Sequence, residues 1–203
     1  MPGFVVTLAV QGRSCLVVGG DAEALRRARR LRECGARVSV VWPTLDPGFA
    51  AWVAAEGLAH GARVPCEDDL RARPFLVVST PRDEALSSWL YARATEAGAL
   101  LCCVDQPAWS HYAHTALGDA GDITVALASG GAAPGLVKRL RDGIVAGLDD
   151  EFVAFAAWLA KRRAETAPAE RRRVLDAALE GFSAVLTVTL PTSWSAGRST
   201  PPR

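Results

Sequence analysis

Short apolar runs bounded by turn residues recur through the first half of the chain, at 15–18, 38–42, 75–78 and 100–104, with stretches of helical period between them. Runs of this kind read as strands, and helices returning between them make successive strands parallel. Two of the intervening stretches show a helical stripe directly. In 22–34, Ala24, Ala28 and Leu31 share one face and the arginines lie elsewhere; in 84–97, Leu86, Leu90 and Ala94 do the same. The pattern predicts a Rossmann-type α/β domain over residues 1–115, with a mainly parallel sheet, helices on both faces and a ligand crevice at the carboxyl ends of the strands.

Past residue 115 the pattern changes. A further strand at 123–128 turns through Ser129-Gly130-Gly131 into a helix opening near Pro134 and running through Leu136, Val137, Leu140 and Ile144. Residues 116–148 are therefore expected to form a strand-turn-helix segment serving the active site and dimerisation. Over 149–183 only helical period remains: Phe152, Phe155 and Leu159 share a face, and a second helix over 169–179 is expected to be capped by Gly181. Residues 184–190 are apolar but short, and 191–203 are rich in Ser, Thr and Pro, so 184–203 reads as a disordered tail.

With 203 residues, half of them hydrophobic and 22% charged, the chain can bury one sizeable core plus a smaller appended unit. With a net charge of +1, nothing in the overall charge argues for nucleic acid or a membrane surface as partner, and neither is expected. Lysine is nearly absent, whereas arginine clusters at Arg26, Arg27, Arg29 and Arg30, so any anion site is local. These arginines stand early in a helix, against the dipole preference, and read either as a solvated face or as a weak sign of an anion partner. The five cysteines have no C-x-x-C spacing and sit mostly inside apolar runs, as free thiols of a reducing compartment do. A cytoplasmic protein is expected, neither exported nor embedded in a membrane.

The candidate chemistry gathers at strand ends. Gly19-Gly20-Asp21-Ala22-Glu23-Ala24 stands where a dinucleotide fingerprint G-x-G-x-x-G/A would sit, and Gly19 and Ala24 fit it whereas Asp21 does not. A carboxylate about 4 Å from a phosphate charge costs roughly 4 kcal/mol at an effective dielectric of about 20. The other reading of Asp21 is the N-cap of the following helix. Asp105 closes the strand at 100–104 ahead of Gln106-Pro107, placed either for a general base or for an ordinary Asx turn. Ser129-Gly130-Gly131 offers backbone N–H groups to an anion, with Lys138, Arg139 and Arg141 in the helix that follows; the alternative is a plain turn beside a solvated basic face. His111 and His114 have the spacing of a metal pair but no third ligand, so no metal site is expected. Cys102 and Cys103 point to opposite faces of a strand and cannot line one site.

Taken together, Gly12-Arg13-Ser14-Cys15-Leu16-Val17-Val18-Gly19-Gly20, Ala24-x-Arg26-Arg27-Ala28, Val104-Asp105 and Ala128-Ser129-Gly130-Gly131-x-x-Pro134 resemble the precorrin-2 dehydrogenase/sirohydrochlorin ferrochelatase family, the dehydrogenase module of siroheme synthase. The resemblance extends from about residue 5 to 181. It implies NAD-dependent oxidation of precorrin-2, a tetrapyrrole bearing eight carboxylates, to sirohydrochlorin, in a homodimer. Some members also insert ferrous iron, which would then be a second small partner. By position, Asp105 matches the family's essential aspartate. Gly19, Gly20, Asp21, Ala22, Trp42, Pro43, Thr80 and Pro81 would meet NAD, and Ser129, Gly130, Lys138 and Arg139 the tetrapyrrole. The chain departs from the family at Asp21, where a third glycine is usual, at Pro81-Arg82, where acidic or amide residues are usual, and at Cys102, which replaces an asparagine. All three departures are expected to face the cofactor crevice. The rival readings are an NAD-independent tetrapyrrole binder and a member that acts as a chelatase alone.

Overall fold

The structure, a computed structural model, describes residues 3–196. The chain divides into two compact units between Thr115 and Ala116.

In the first unit five strands, β1 (Ser14–Val18), β2 (Arg37–Val41), β3 (Ala59–Gly61), β4 (Leu76–Ser79) and β5 (Leu100–Cys103), form one sheet in the order β3-β2-β1-β4-β5, every pair parallel. The central strands are covered on both faces, which is why they read as unbroken apolar runs. Cys15, Val17, Val40 and Val78 pack with Ala24 and Ala28 of α1 (Ala22–Glu33) and Phe49 of α2 (Pro47–Ala55). On the other face Leu16, Val18, Val77 and Leu101 pack with Leu90 and Ala94 of α4 (Glu84–Ala97), joined by Leu70 of the short α3 (Glu67–Arg71). From β1 the chain runs outward to β2 on one side and later returns to β4 on the other, so the order reverses between β1 and β4. In open α/β sheets that reversal opens a crevice at the carboxyl ends of the strands.

The expected Rossmann-type fold is thus present, with strand ends moved by a residue. Elements that the periodicity does not single out are α2, α3 and β3. β3 is a three-residue edge strand, Ala59-His60-Gly61, with no apolar run to betray it.

In the second unit β6 (Ala116–Ala120) pairs antiparallel with β7 (Ile123–Leu127) across Gly121, whose φ of +57° suits the tight turn. Helix α5 (Pro134–Ala146) packs on β6 where Gly118 leaves room: a Cβ there would lie 2.7 Å from Val145 Cγ2. Arg141 Nη1 fastens the pair by donating to the Leu117 carbonyl at 2.7 Å. Helix α6 (Asp150–Glu165) is capped by Asp149, which accepts from the Phe152 amide at 2.9 Å. Helix α7 (Arg171–Ala178) ends on Leu179 rather than on Gly181, which lies two residues further with φ +80°. Residues 184–191 have no regular secondary structure, and α8 (Thr192–Ala196) follows inside the segment expected to be a disordered tail. Residues 197–203, the rest of that expectation, lie outside the described residues.

Candidate functional site

The β1–α1 turn is built on two glycines that admit no side chain. Gly19 has φ +135°, and a Cβ on it would lie 2.2 Å from Thr80 Oγ1. A Cβ on Gly20 would lie 2.1 Å from the Thr44 carbonyl oxygen, while the Gly20 carbonyl accepts from the Asp46 amide at 2.8 Å. The turn is thereby wedged between the end of β4 and the loop after β2.

Asp21 follows with an extended backbone and caps α1: its Oδ1 accepts from the Ala24 amide at 2.8 Å and from the Thr80 hydroxyl at 3.0 Å. The N-cap reading is therefore correct, and the same carboxylate also faces the crevice. At this helix terminus a chain carboxylate stands where Rossmann folds seat a phosphate.

The crevice has a volume of about 690 Å³ and is lined by Asp21, Glu23, Arg26, Arg27, Thr80, Pro81, Arg82, Val104 and Asp105. Glu23 pairs with Arg26 and, at 2.6 Å, with Arg27. Burial works against its ionisation, but the two guanidiniums outweigh burial and hold the carboxyl below its ordinary range. Across the crevice Asp105 sits just past β5 in the left-handed region, φ +61°, a conformation that non-glycine residues adopt at a cost and often at functional sites. Arg82 Nη2 donates to its Oδ2 at 2.5 Å. The loops carrying the two residues are tied together, since Gln106 Nε2 donates to the Pro81 carbonyl at 3.1 Å and the Val104 amide to the Ser79 carbonyl at 2.8 Å. Both partners are exposed, so the pair adds at most about 1 kcal/mol to stability. Its consequence is orientation.

Of the residues expected at a cofactor, Asp21, Thr80 and Pro81 line the crevice together with Asp105. Gly19, Gly20 and Ala22 shape the turn beside it. Trp42 and Pro43 follow β2; the Trp42 carbonyl bonds His60 Nε2 at 3.0 Å, and its ring closes on Gly20. One expectation is corrected. Cys102 does not face the crevice: it lies inside β5, 4% exposed, where helices cover both faces of the sheet, and burial pushes its thiol up to about 11. His111 is a latch, accepting from the Leu101 amide at 3.1 Å and stacking on Tyr91. Among the described residues no group of three metal-capable side chains occurs.

In the second unit Ser129 and Gly130 lie in the turn before α5, and Lys138 and Arg139 lie on the helix. Ser129 Oγ accepts from the Ala133 amide at 3.1 Å, which closes the turn, and Gly130 and Gly131 take φ of +62° and +91°. Lys138 and Arg139 are exposed on α5. Arg141, grouped with them in the sequence, is committed to the Leu117 carbonyl and to Asp142. What the sequence did not disclose is pairing: Arg82 with Asp105, and Asp21 with Thr80, link residues 23 and 59 positions apart.

A parallel sheet with a glycine turn leading into α1, beside a charged crevice at the strand ends, defines a Rossmann-type dinucleotide fold. Residues 6–116 match the family described as "Putative NAD(P)-binding". The chain belongs to this family, and that membership bears out the expectation of a nicotinamide dinucleotide as cofactor. It is 33% identical over 189 residues to a siroheme synthase of Gluconacetobacter diazotrophicus, covering 89% of this chain and 40% of that protein. A siroheme synthase of Thioalkalivibrio sulfidiphilus is 34% identical over 186 residues, with 89% and 38% covered. The chain thus spans about two-fifths of the length of these relatives. Among solved structures, "SirC, precorrin-2 dehydrogenase" superposes with a TM-score of 0.73 at 23% identity, over 88% of this chain and 90% of that one, which establishes the shared fold.

The crevice has a volume within the range of small-molecule sites, and it presents three guanidiniums, the side chains that suit the phosphates of a dinucleotide. The point of tension is the α1 terminus, where Asp21 is bonded.

Proposed function

We propose that the chain oxidises precorrin-2 to sirohydrochlorin with NAD as the hydride acceptor, as the dehydrogenase part of siroheme formation. The observation that carries this reading is Asp105, held by Arg82 at the strand-end crevice beside the glycine turn. Likeness to siroheme synthases supports the substrate. Oxidation removes two hydrogens, one as hydride to the nicotinamide and one as a proton, and Asp105 is the acceptor for the proton. The exposed Lys138 and Arg139 on α5, with Ser129 and Gly130 at its turn, are assigned to substrate carboxylates through charge-assisted hydrogen bonds.

We assign the chain to a homodimer. The helices of the second unit bury no residue fully and leave Leu136, Trp158 and Phe182 exposed, and a second copy would cover them. A cytoplasmic location is supported by five free thiols, and no helix among the described residues is long and apolar enough to cross a membrane. Ferrous iron enters this scheme as a further substrate, its insertion displacing two pyrrole protons, one accepted by Asp105 and the other by solvent.

The test is anaerobic incubation with precorrin-2 and NAD⁺, without metal, following NADH and sirohydrochlorin together. Both should appear in equal amounts. In Asp105→Asn turnover should fall at least about 100-fold while NADH binding persists. Precorrin-2 bound but not oxidised would overturn the dehydrogenase and favour a binder or a chelatase, the reading that the carboxylate of Asp21 at the α1 terminus favours.

A further inference from the structure

We infer that the crevice holds the diphosphate of its dinucleotide through the guanidiniums of Arg26, Arg27 and Arg82 rather than through the α1 terminus, with Glu23 acting as an internal counter-anion that the diphosphate replaces. The inference rests on the cofactor reading above.

Asp21 already occupies the helix terminus, bonded to the Ala24 amide and the Thr80 hydroxyl, and its negative charge repels a phosphate there. The crevice nonetheless presents three guanidiniums, from the first turns of α1 and from the loop after β4. Glu23 sits against two of them and so shows where an anion is stabilised. The pairs of Arg26 and Arg82 are cheap to exchange. Arg26 is 66% exposed and Arg82 76%, and ion pairs of that exposure are worth little in water. A diphosphate offers more acceptor oxygens and a denser charge than one carboxylate, and guanidinium geometry suits it.

In the free protein the three guanidiniums are balanced by Asp21, Glu23 and Asp105, so the crevice carries no net charge with which to attract phosphate indiscriminately. Selectivity then comes from exchange of partners. Drawing Arg82 toward the diphosphate would also release Asp105 from its ion pair, joining cofactor binding to the availability of the proposed proton acceptor.

The experiment is calorimetric titration of the full chain with ADP and with adenosine, together with fluorescence titration with NADH, each at two salt concentrations. Wild type should bind NADH and ADP, with adenosine at least about tenfold weaker than ADP. Arg26→Gln and Arg82→Gln, both at exposed positions, should each weaken ADP and NADH about fivefold and leave adenosine unchanged. Glu23→Gln, which removes the competing carboxylate, should tighten ADP several-fold and steepen its decline with salt. If wild type binds ADP and the arginine variants bind it equally well, the arginine site is wrong and the cofactor reading stands. If wild type binds neither NADH nor ADP, both fall.

Discussion

Phe49, Leu90 and Leu101 of the first unit have no accessible surface, whereas Leu136, Trp158 and Phe182 of the second are 64%, 46% and 52% exposed. The contrast is general: nearly every buried apolar side chain of the described residues belongs to the first unit, and Ala120 is the buried representative of the second. Composition does not explain it, because α6 is as rich in Phe, Trp and Leu as any helix of the first unit. Topology does. A five-stranded sheet offers two faces to cover, while the two-stranded sheet of the second unit supports one helix on β6 and leaves α6 and α7 to pack chiefly on each other. A structure built this way has one unit whose apolar side chains are closed off from water and one whose apolar faces stay open to it.

The sharpest way to break this comparison is to truncate one aromatic in each unit. Phe49→Ala empties a site with no solvent access and should cost about 3–5 kcal/mol, read as a lower midpoint in urea denaturation. Trp158→Ser should change the stability of the dilute chain by less than about 1 kcal/mol, since its side chain is already half in water. Its effect should appear instead in sedimentation, as loss of the dimer at concentrations where wild type associates. Equal destabilisation by the two, with sedimentation unaltered, would mean that the second unit has a core of its own.

The same contrast explains what could be read from the sequence. β1, β2, β4 and β5 announce themselves because both of their faces are buried, and α1 and α4 because each covers the sheet with one stripe. β6 does not, since Gly118 and Asp119 interrupt a strand that is only partly covered. Helix α2 opens at Asp46-Pro47, but Phe49, Trp52 and Val53 among alanines make it apolar nearly all round, so no stripe marks it. At the site, Asp21 and Asp105 were legible from their places at strand ends. Thr80 and Arg82 entered through the family resemblance, but their pairing with Asp21 and Asp105 was not legible, because chain reversal through the sheet brings them together and no local rule does.

Asp21 tests how far a residue can serve the fold and the crevice at once. In Asp21→Gly the cap is lost, at a cost of a few tenths of a kcal/mol for glycine at such a position, plus the bond to Thr80. The carboxylate facing the crevice goes with it, so NADH should bind about tenfold more tightly while the melting temperature falls by a few degrees. Unchanged NADH affinity would show that the carboxylate is directed away from the bound phosphates.

The smallest expected effect lies where the first unit is closed by charge rather than by burial. Arg63 grips Asp69 with two hydrogen bonds, 2.7 and 2.8 Å, and the Cys66 amide adds a third at 2.8 Å, fastening the loop between β3 and α3. The Arg63 hydrogen bonds, opposed by partial burial, hold the Asp69 carboxyl below its ordinary range. A carboxyl whose folded pKa is depressed contributes stability at pH above its unfolded value, near 4, and loses it as pH falls through the folded value. Asp69→Asn should therefore be less stable than wild type at neutral pH, and the gap should narrow steadily below about pH 4. Urea midpoints measured from pH 7 to pH 2 read the difference. Convergence at the acid end assigns this part of the pH dependence to Asp69, whereas curves that stay parallel would place the acid sensitivity of the first unit elsewhere, with Glu23, whose carboxyl is held low by Arg26 and Arg27 against its burial, next to be tested.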